Sequence, residues 1–543
     1  MRYLKEHPLL LLTLICIAIF TAHLDALWVN IMEARNFVTA REMLQDSNWL
    51  LTTLNGEPRY QKPPLPTWLS AGSAFLFGIK SVFAMRIPAA IITIVLIRIS
   101  YTFTKKLTGN IRYAFISSLI LATSFFIVFS GRNGQWDIFT HGFMMAAIYQ
   151  FYLFFSTPEK KYQRMLLAAL FFGCSFMSKG PVSLYALLLP FLIAYGFVFK
   201  FKKGTKSVLP LLLFFIVALL LSGWWHIYTY LLDPQQVIAT TTKETTNWTS
   251  YNVRPFYYYW SFFIQSGIWC IPAFISLLYP YLKNKVFFKK GYQFTLLWTL
   301  CSVFLLSVIP EKKSRYLLPV LIPLALNTGF YIEYLFRKFK DLKEKRETIP
   351  VYFNFGIIAF IGIATPVLGY IFLKNTPTTP WIWLIVLSIV LCSIGVLIFS
   401  QLKKKNIITV TYLTVAFIVS AICFGMPLAT STLVNEEYRS FTELKTWQDK
   451  TAISVYEFTY FTPEIIWDYG HTIPVMKKED SIQIPKTNTF GVLVGKEDRT
   501  LFETTFKDYQ KKKITRYDIN TYPTDSKKHK TRLWRDLFLI SIK

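Results

Sequence analysis

The sequence predicts a polytopic bundle of membrane-spanning helices followed by a small α/β domain outside the membrane. Three observations predict it. The 543-residue chain is 53% hydrophobic and 17% aromatic with a mean hydropathy of +0.37, more apolar than a soluble protein of this size needs to be. Its apolar residues fall in runs of about twenty, the helix length that crosses a hydrocarbon layer of about 30 Å. After about residue 430 those runs stop, and strand-like segments alternate with polar ones.

About thirteen spans are expected, near residues 8–25, 81–103, 111–130, 138–157, 164–178, 181–199, 207–225, 257–282, 292–309, 315–336, 351–373, 380–400 and 406–430. Each must be a helix, because an unpaired backbone group facing lipid costs several kcal/mol. The first span is read as retained: no small-residue cleavage site follows Phe20-Thr21-Ala22-His23-Leu24, and Asp25 ends the run. Alternate connections carry Lys105-Lys106, Lys160-Lys161, Lys200 with Lys202-Lys203, Lys283 with Lys289-Lys290, the cluster Arg337 to Arg346, and Lys403-Lys404-Lys405. These loops and the N-terminus (Arg2, Lys5) are therefore assigned to the cytoplasm. An odd number of spans then places the tail outside, in an inner (plasma) membrane protein whose first loop is extracytoplasmic. The net charge of +28 follows from these loops and a lysine-rich tail, so anionic lipid is the expected partner and nucleic acid is not. All six cysteines fall inside spans, which leaves neither a disulfide framework nor a cysteine metal site.

Two modules are expected, a transmembrane one over residues 1–430 and an extracytoplasmic α/β domain over 431–543. The longest outward segment is the first loop, 26–80. Val29 to Leu44 suits a helix lying in the membrane interface, and Asn55-Gly56-Glu57-Pro58 is a turn. Lys62-Pro63-Pro64-Leu65-Pro66 forbids regular helix, and a second helix from Pro66 to Phe77 ends at Gly78. In the tail, strands are expected at Ala452–Tyr456, Phe490–Val494, Ile514–Tyr517 and Leu537–Ile542, with Arg499–Tyr509 helical or irregular.

The chemistry-bearing residues sit in these outward loops. Glu33 and Asp137 are the acids best placed to accept a proton from an acceptor hydroxyl, the plainer reading being ion pairs with Arg35 and Arg132 that fix the loops. Lys62, with Arg59, is a candidate phosphate clamp, since a leaving phosphate gains negative charge as its bond breaks. Lys179 and the cluster Lys312, Lys313 and Arg315 add outward cations against the positive-inside pattern. Tyr257-Tyr258-Tyr259-Trp260, after Arg254-Pro255, reads first as an aromatic belt and second as a sugar-stacking surface. The six histidines, His226 included, are scattered, and no metal is expected.

These motifs resemble the lipid A aminoarabinose transferases and the related protein O-mannosyltransferases, the glycosyltransferase family 39 group with the GT-C fold. The resemblance rests on Glu33-Ala34-Arg35, Ala40-Arg41-Glu42-Met43-Leu44, Asn48-Trp49, Asn55-Gly56, Arg59-Tyr60, Lys62-Pro63-Pro64, Trp68, Phe77-Gly78 and Arg86-Ile87-Pro88. It continues through Arg132 to Asp137, Ser178-Lys179-Gly180-Pro181, Pro255 to Tyr259, and Arg315-Tyr316-Leu317-Leu318-Pro319, covering about residues 8 to 330. It implies a GT-C-like bundle of about thirteen transmembrane helices and inverting transfer of a sugar from a polyprenyl-phosphate carrier to an envelope glycolipid or protein acceptor. On it, Glu33 or Asp137 acts as base or orients the acceptor. Lys62, Arg59, Lys179 and Arg315 meet the donor phosphate, and Arg35, Tyr60, Gln61, Arg132, Arg254, Tyr257 and Lys313 line the cavity.

Two positions depart from the family pattern: Met32 precedes Glu33 where an acid is usual, and Gln61 stands where aminoarabinose transferases carry Glu. The outward loop 226–256 also lacks their metal-binding histidine, so the metal site is read as lost. The rival readings are a protein O-mannosyltransferase-like enzyme, and a carrier-binding protein or transporter without transfer activity. Charges gathered in outward loops, instead of at mid-span, weigh against a transporter.

Overall fold

The computed structural model describes every residue except 1–5, 202–207, 375, 377–378, 479–480 and 543. Arg2, Lys5, Lys202 and Lys203 of the loop-charge pattern thus lie outside the described residues. Eight helices are long and apolar enough to cross a membrane: Val82–Thr108, Asp137–Ser156, Val208–Leu232, Lys289–Val308, Ser314–Lys338, Lys345–Leu373, Trp381–Lys403 and Ile407–Ala429. A ninth is the pair Ile111–Thr123 and Phe125–Gly131, bent by 66° where Ser124 turns extended.

Among the described residues the expected count of thirteen is therefore not reached, and each shortfall has a local cause. Pro8–Thr21 has only 14 residues. Lys161–Lys179 carries Lys, Gln and Arg in its first turn and packs between the Asp137–Ser156 and Val208–Leu232 helices. The 181–199 stretch is split into a π-turn, Leu184–Leu188, and a short helix, Leu189–Val198. The 257–282 stretch breaks into 3₁₀ turns Phe256–Tyr259 and Phe262–Trp269 and a helix Cys270–Ser276. Gly267 makes that break: its φ is +67°, and a Cβ there would lie 2.8 Å from Phe125 Cβ.

The first loop is sandwiched between bundle and tail. Its helix, Ile31–Asp46, begins with a capping box in which Asn30 Oδ1 accepts from the Met32 and Glu33 amides and Glu33 reaches back to the Asn30 amide. The structure corrects the expectation of an interfacial helix, because ten of its residues are buried, on more than one face. Phe37 packs beside Gly134 of the bundle and, edge-on at 5.3 Å, against Trp467 of the tail. Val38 joins the tail core of Phe441, Leu444, Ile465 and Leu537. Arg41 donates to the carbonyls of Ile466 and Trp467 at 3.0 and 3.2 Å. A hairpin of Thr53–Leu54 and Glu57–Pro58 turns on Asn55 and Gly56, both at positive φ as a two-residue turn of this hand requires. Asn55 then exchanges two hydrogen bonds of 2.8 Å with the main chain of Ile473.

The tail carries a four-stranded sheet in the order Val455–Glu457, Thr489–Val494, Trp534–Ile542, Tyr509–Asp518, with the first pair parallel and the rest antiparallel. Helices Phe441–Thr451, Pro463–Tyr469 and Arg499–Thr505 accompany it. The central strands Thr489–Val494 and Trp534–Ile542 are largely buried, as their apolar sequence demands.

Candidate functional site

The site forms where the proline-rich corner of the first loop meets the ends of several helices. The corner is pinned by aromatic residues with satisfied polar tips: Trp68 Nε1 donates to the Trp49 carbonyl at 2.7 Å, and Trp225 Nε1 to that of Leu50 at 2.9 Å. Tyr60 lies edge-on to Trp225 at 6.4 Å, and Trp68 stacks on Trp224 at 6.2 Å. Burial, reinforced by Asp233 beside it, pushes the Tyr60 hydroxyl up to about 12. The Arg59 main chain is held by Thr52, leaving its guanidinium 4.9 Å from the face of the buried Trp136 ring. Among the described residues Arg59 makes no ion pair, and burial followed by the nearby Arg35 charge pushes it down to about 10.

Lys62 follows on the same corner. Its ammonium lies 3.6 Å from Glu244, with Arg59, Asp137 and Arg315 as further charged neighbours. Burial lowers its pKa, and Glu244 opposes that shift. Asp137 opens the Asp137–Ser156 helix and is buried against Lys179, which closes the Lys161–Lys179 helix and forms an ion pair with it. Gly180, at φ +72°, turns the chain directly after Lys179. The Lys179 ammonium also lies 5.0 Å from the Tyr316 ring, and Arg315 approaches the same ring at 5.7 Å. Among the described residues, Gln61 Oε1, Trp136 Nε1 and Arg315 Nε are buried without a hydrogen-bond partner. The sequence-expected residues Arg59, Lys62, Asp137, Lys179 and Arg315 thus form one charged cluster, with Tyr60 and Gln61 on the same corner.

Other expectations are corrected. Glu33 is fully buried and points into the frame: Arg86 Nε and Nη2 donate to its two oxygens at 2.7 and 3.0 Å, and the Gly134 amide and Asn30 Nδ2 add bonds of 3.0 and 2.8 Å. With both oxygens so engaged, Glu33 is a structural anion and not a base. Gly134 has no room for a Cβ, which would sit 2.3 Å from the Phe37 ring. Arg132 donates to the carbonyls of Ile19, Ala22 and His23 at 2.6, 2.7 and 3.0 Å, closing the end of the Pro8–Thr21 helix instead of lining the cavity. The ion pairs Glu33–Arg35 and Asp137–Arg132 are replaced by Glu33–Arg86 and Asp137–Lys179. Lys313 is held by Glu311 at 2.5 Å beside the Tyr251 ring. Arg254 and Tyr257 are exposed, and Arg254 is tied to Pro310 and Lys312 by its main chain.

Sequence reasoning missed Glu244, Tyr251, Tyr316, Glu464 and Arg532. Glu244 sits in the threonine-rich helix Pro234–Ser250, none of whose residues is buried, so no apolar pattern announces it. Glu464 and Arg532 come from the tail and are electrostatic neighbours of Arg35.

Known proteins are similar to this chain in fold and, more distantly, in sequence. The family model for dolichyl-phosphate-mannose-protein mannosyltransferases matches residues 61–226, the stretch that carries Lys62, Asp137 and Lys179. A crystal structure of ArnT from Cupriavidus metallidurans bound to undecaprenyl phosphate aligns with a TM-score of 0.70 at 14% identity, covering 97% of each chain. The undecaprenyl phosphate-alpha-4-amino-4-deoxy-L-arabinose arabinosyl transferase 1 of Proteus mirabilis is 25% identical over 343 residues, which is 61% of this chain and 60% of that protein. The chain has the fold of the ArnT structure and is similar in sequence to these transferases. An uncharacterized protein of Aquifex aeolicus is a further relative, 24% identical over 337 residues, 61% of this chain and 64% of that one. The chain spans about three fifths of the length of these curated relatives. It is a multi-span membrane protein with the fold of ArnT and a small sheet domain at its C-terminal end.

Proposed function

We propose that the protein is an inner-membrane, inverting glycosyltransferase that moves a sugar from a polyprenyl (undecaprenyl) phosphate donor to a lipid A-type envelope glycolipid. The observation that carries this reading is an excess of cations in one cluster. Arg59, Lys62, Lys179 and Arg315 outnumber Asp137 and Glu244, and among the described residues Arg59 has no carboxylate partner. Desolvated cations left unpaired are costly unless an anion completes them. A lipid phosphate supplies that anion, in keeping with relatives named for an undecaprenyl-phosphate sugar.

In this reading Lys62, Arg59 and Arg315 hold the donor phosphate, while Asp137 orients Lys179 toward it. An acceptor oxygen attacks the anomeric carbon from the far side, the bond from that carbon to the carrier phosphate breaks, and the departing phosphate's growing charge meets cations already in place. The site is proposed to work without a metal, in line with Gln61 in place of Glu and the departure in the loop 226–256. The active site and tail domain are proposed to face the extracytoplasmic side, as the lysine-bearing loops suggest.

Incubating the purified protein with a labelled undecaprenyl-phosphate sugar and lipid A tests the reading. Covalent transfer is expected. Translocation of the donor across vesicles, or binding alone, overturns it in favour of a transporter or carrier-binding protein. The match to protein mannosyltransferases supports a second reading, transfer to a protein hydroxyl, and a peptide acceptor in the same assay decides between them.

A further inference from the structure

The tail domain reaches the cluster through one pair of side chains. Arg532 Nη1 donates to Glu464 Oε1 at 2.5 Å, and the Arg532 carbonyl is itself held by Thr462 Oγ1 at 3.0 Å and Arg535 Nη1 at 3.2 Å. Glu464 opens the Pro463–Tyr469 helix, which packs on the first-loop helix Ile31–Asp46 through the Arg41 and Phe37 contacts. Arg35 lies on that same first-loop helix. Among the described residues its guanidinium hydrogen-bonds only to Met32 Sδ, at 3.9 Å, and Glu464, Arg315 and Arg532 act on it electrostatically.

The Arg532–Glu464 pair of the tail thus has the Arg35 guanidinium of the first loop as an electrostatic neighbour, two cations with one carboxylate. That carboxylate is 5% exposed and its second oxygen, Oε2, is buried with no partner. Guanidiniums repel one another unless an anion sits between them, and an Arg fork matches the geometry of a phosphate. A buried carboxylate oxygen with no donor calls for a hydroxyl or N–H from outside the protein. A phosphate attached to a sugar bears both groups side by side.

We infer that Arg35 and Arg532, with Glu464 beside them, form the acceptor subsite, and that it takes a phosphorylated sugar headgroup, with the phosphate on the two arginines and a sugar hydroxyl or amide on Glu464 Oε2. This rests on the proposed transfer reaction and deepens it. Arg315 acts electrostatically on both Lys62 of the donor clamp and Arg35 of the acceptor subsite. The tail domain is then a specificity element as well as a cover.

The test measures binding of the full-length protein, without donor, to vesicles containing either phosphorylated lipid A or its dephosphorylated form. Undecaprenyl phosphate binding is read separately. The expected result is a preference of at least about tenfold for the phosphorylated lipid in the wild type. Arg532→Ala abolishes the preference, Arg532→Lys retains part of it, and both leave undecaprenyl phosphate binding unchanged. Because Arg532→Ala strands Glu464, the double variant Arg532→Ala/Glu464→Ala is measured beside it and loses the preference too. No preference in the wild type, or a preference that survives in the double variant, overturns the subsite. A wild type that shows the preference yet transfers no sugar overturns the enzymatic reading and leaves the subsite standing.

Discussion

Glu244→Gln is expected to tighten binding of undecaprenyl phosphate. Glu244 lies 3.6 Å from Lys62, in the place where the cation that grips a lipid phosphate already has an anion at hand. At that separation the bare Coulomb attraction, with an effective dielectric of about 20, is about 4–5 kcal/mol. The pair is 26% and 43% exposed, however, and ion pairs this open to water retain about 0.5–1 kcal/mol after screening. A ligand that displaces Glu244 must overcome that much, so removing the charge strengthens binding about two- to fivefold. The substitution is near neutral for folding, since no residue of the Pro234–Ser250 helix is buried. Titrating the purified variant with undecaprenyl phosphate and following tryptophan fluorescence measures the change, and in about 1 M salt the difference from wild type should shrink. Binding that weakens in Glu244→Gln would refute the reasoning, because it would mean that the carboxylate helps to present Lys62 and does not compete with the phosphate.

Lys62→Ala should lower transfer by about 10²- to 10³-fold, the usual loss when one preplaced electrostatic partner of the transition state is removed, while the variant stays folded in the membrane; a normal turnover rate removes Lys62 from the clamp. Carrier binding should fall on the alkaline side at a pH below the ordinary lysine value of 10.5, since the Lys62 charge is present below its folded pKa, lost above it, and burial lowers that pKa. In Glu244→Gln that limb should move to still lower pH, because Glu244 is what raises the value; binding measured from pH 7 to 10 shows whether it does. Glu33→Gln should cost about 3–5 kcal/mol of stability by leaving Arg86 buried without its anion, yet keep the transfer rate per folded molecule, so a thermal-unfolding series run beside the activity assay separates the two roles.

What the sequence made legible follows contact distance along the chain. Arg59 and Lys62 share one short loop, and Asp137 and Lys179 each stand at a helix end, so turn chemistry and span boundaries were enough to bring them forward. Glu33 was misread because its partner Arg86 is 53 residues away and its amide donor Gly134 is 101 away, and an acid in a polar loop looks the same whether it faces outward or inward. The first-loop helix was taken for an interfacial one because its modest apolar stripe does not say whether lipid or protein covers it. Here Val38 enters the core of a domain whose sequence begins some 400 residues later. Spans failed where the backbone departs from regular helix, as at Gly267, since an apolar run reports the environment and not the hydrogen-bond pattern inside it.

The disposition of the carboxylates bears on which acceptor the site serves. A hydroxyl acceptor must lose a proton as its oxygen attacks, which calls for a free carboxylate near the anomeric carbon. Among the acids in or beside the site, Glu33 is locked by Arg86, Asp137 is held by Lys179, Glu311 holds Lys313, and Glu464 holds Arg532. Glu244 is engaged with the donor clamp, on a helix without buried residues, and Asp233 caps that helix at the Gln236 amide beside Tyr60. A phosphate monoester has no such need, since with a second pKa of about 6 it reaches the site already anionic at neutral pH. The same cations that hold the donor then steer the acceptor in. On this argument the absence of an acid at Met32 and the capture of Glu33 by the frame are consistent with chemistry that does not require a base, and they favour a phosphate oxygen over a protein hydroxyl as the nucleophile.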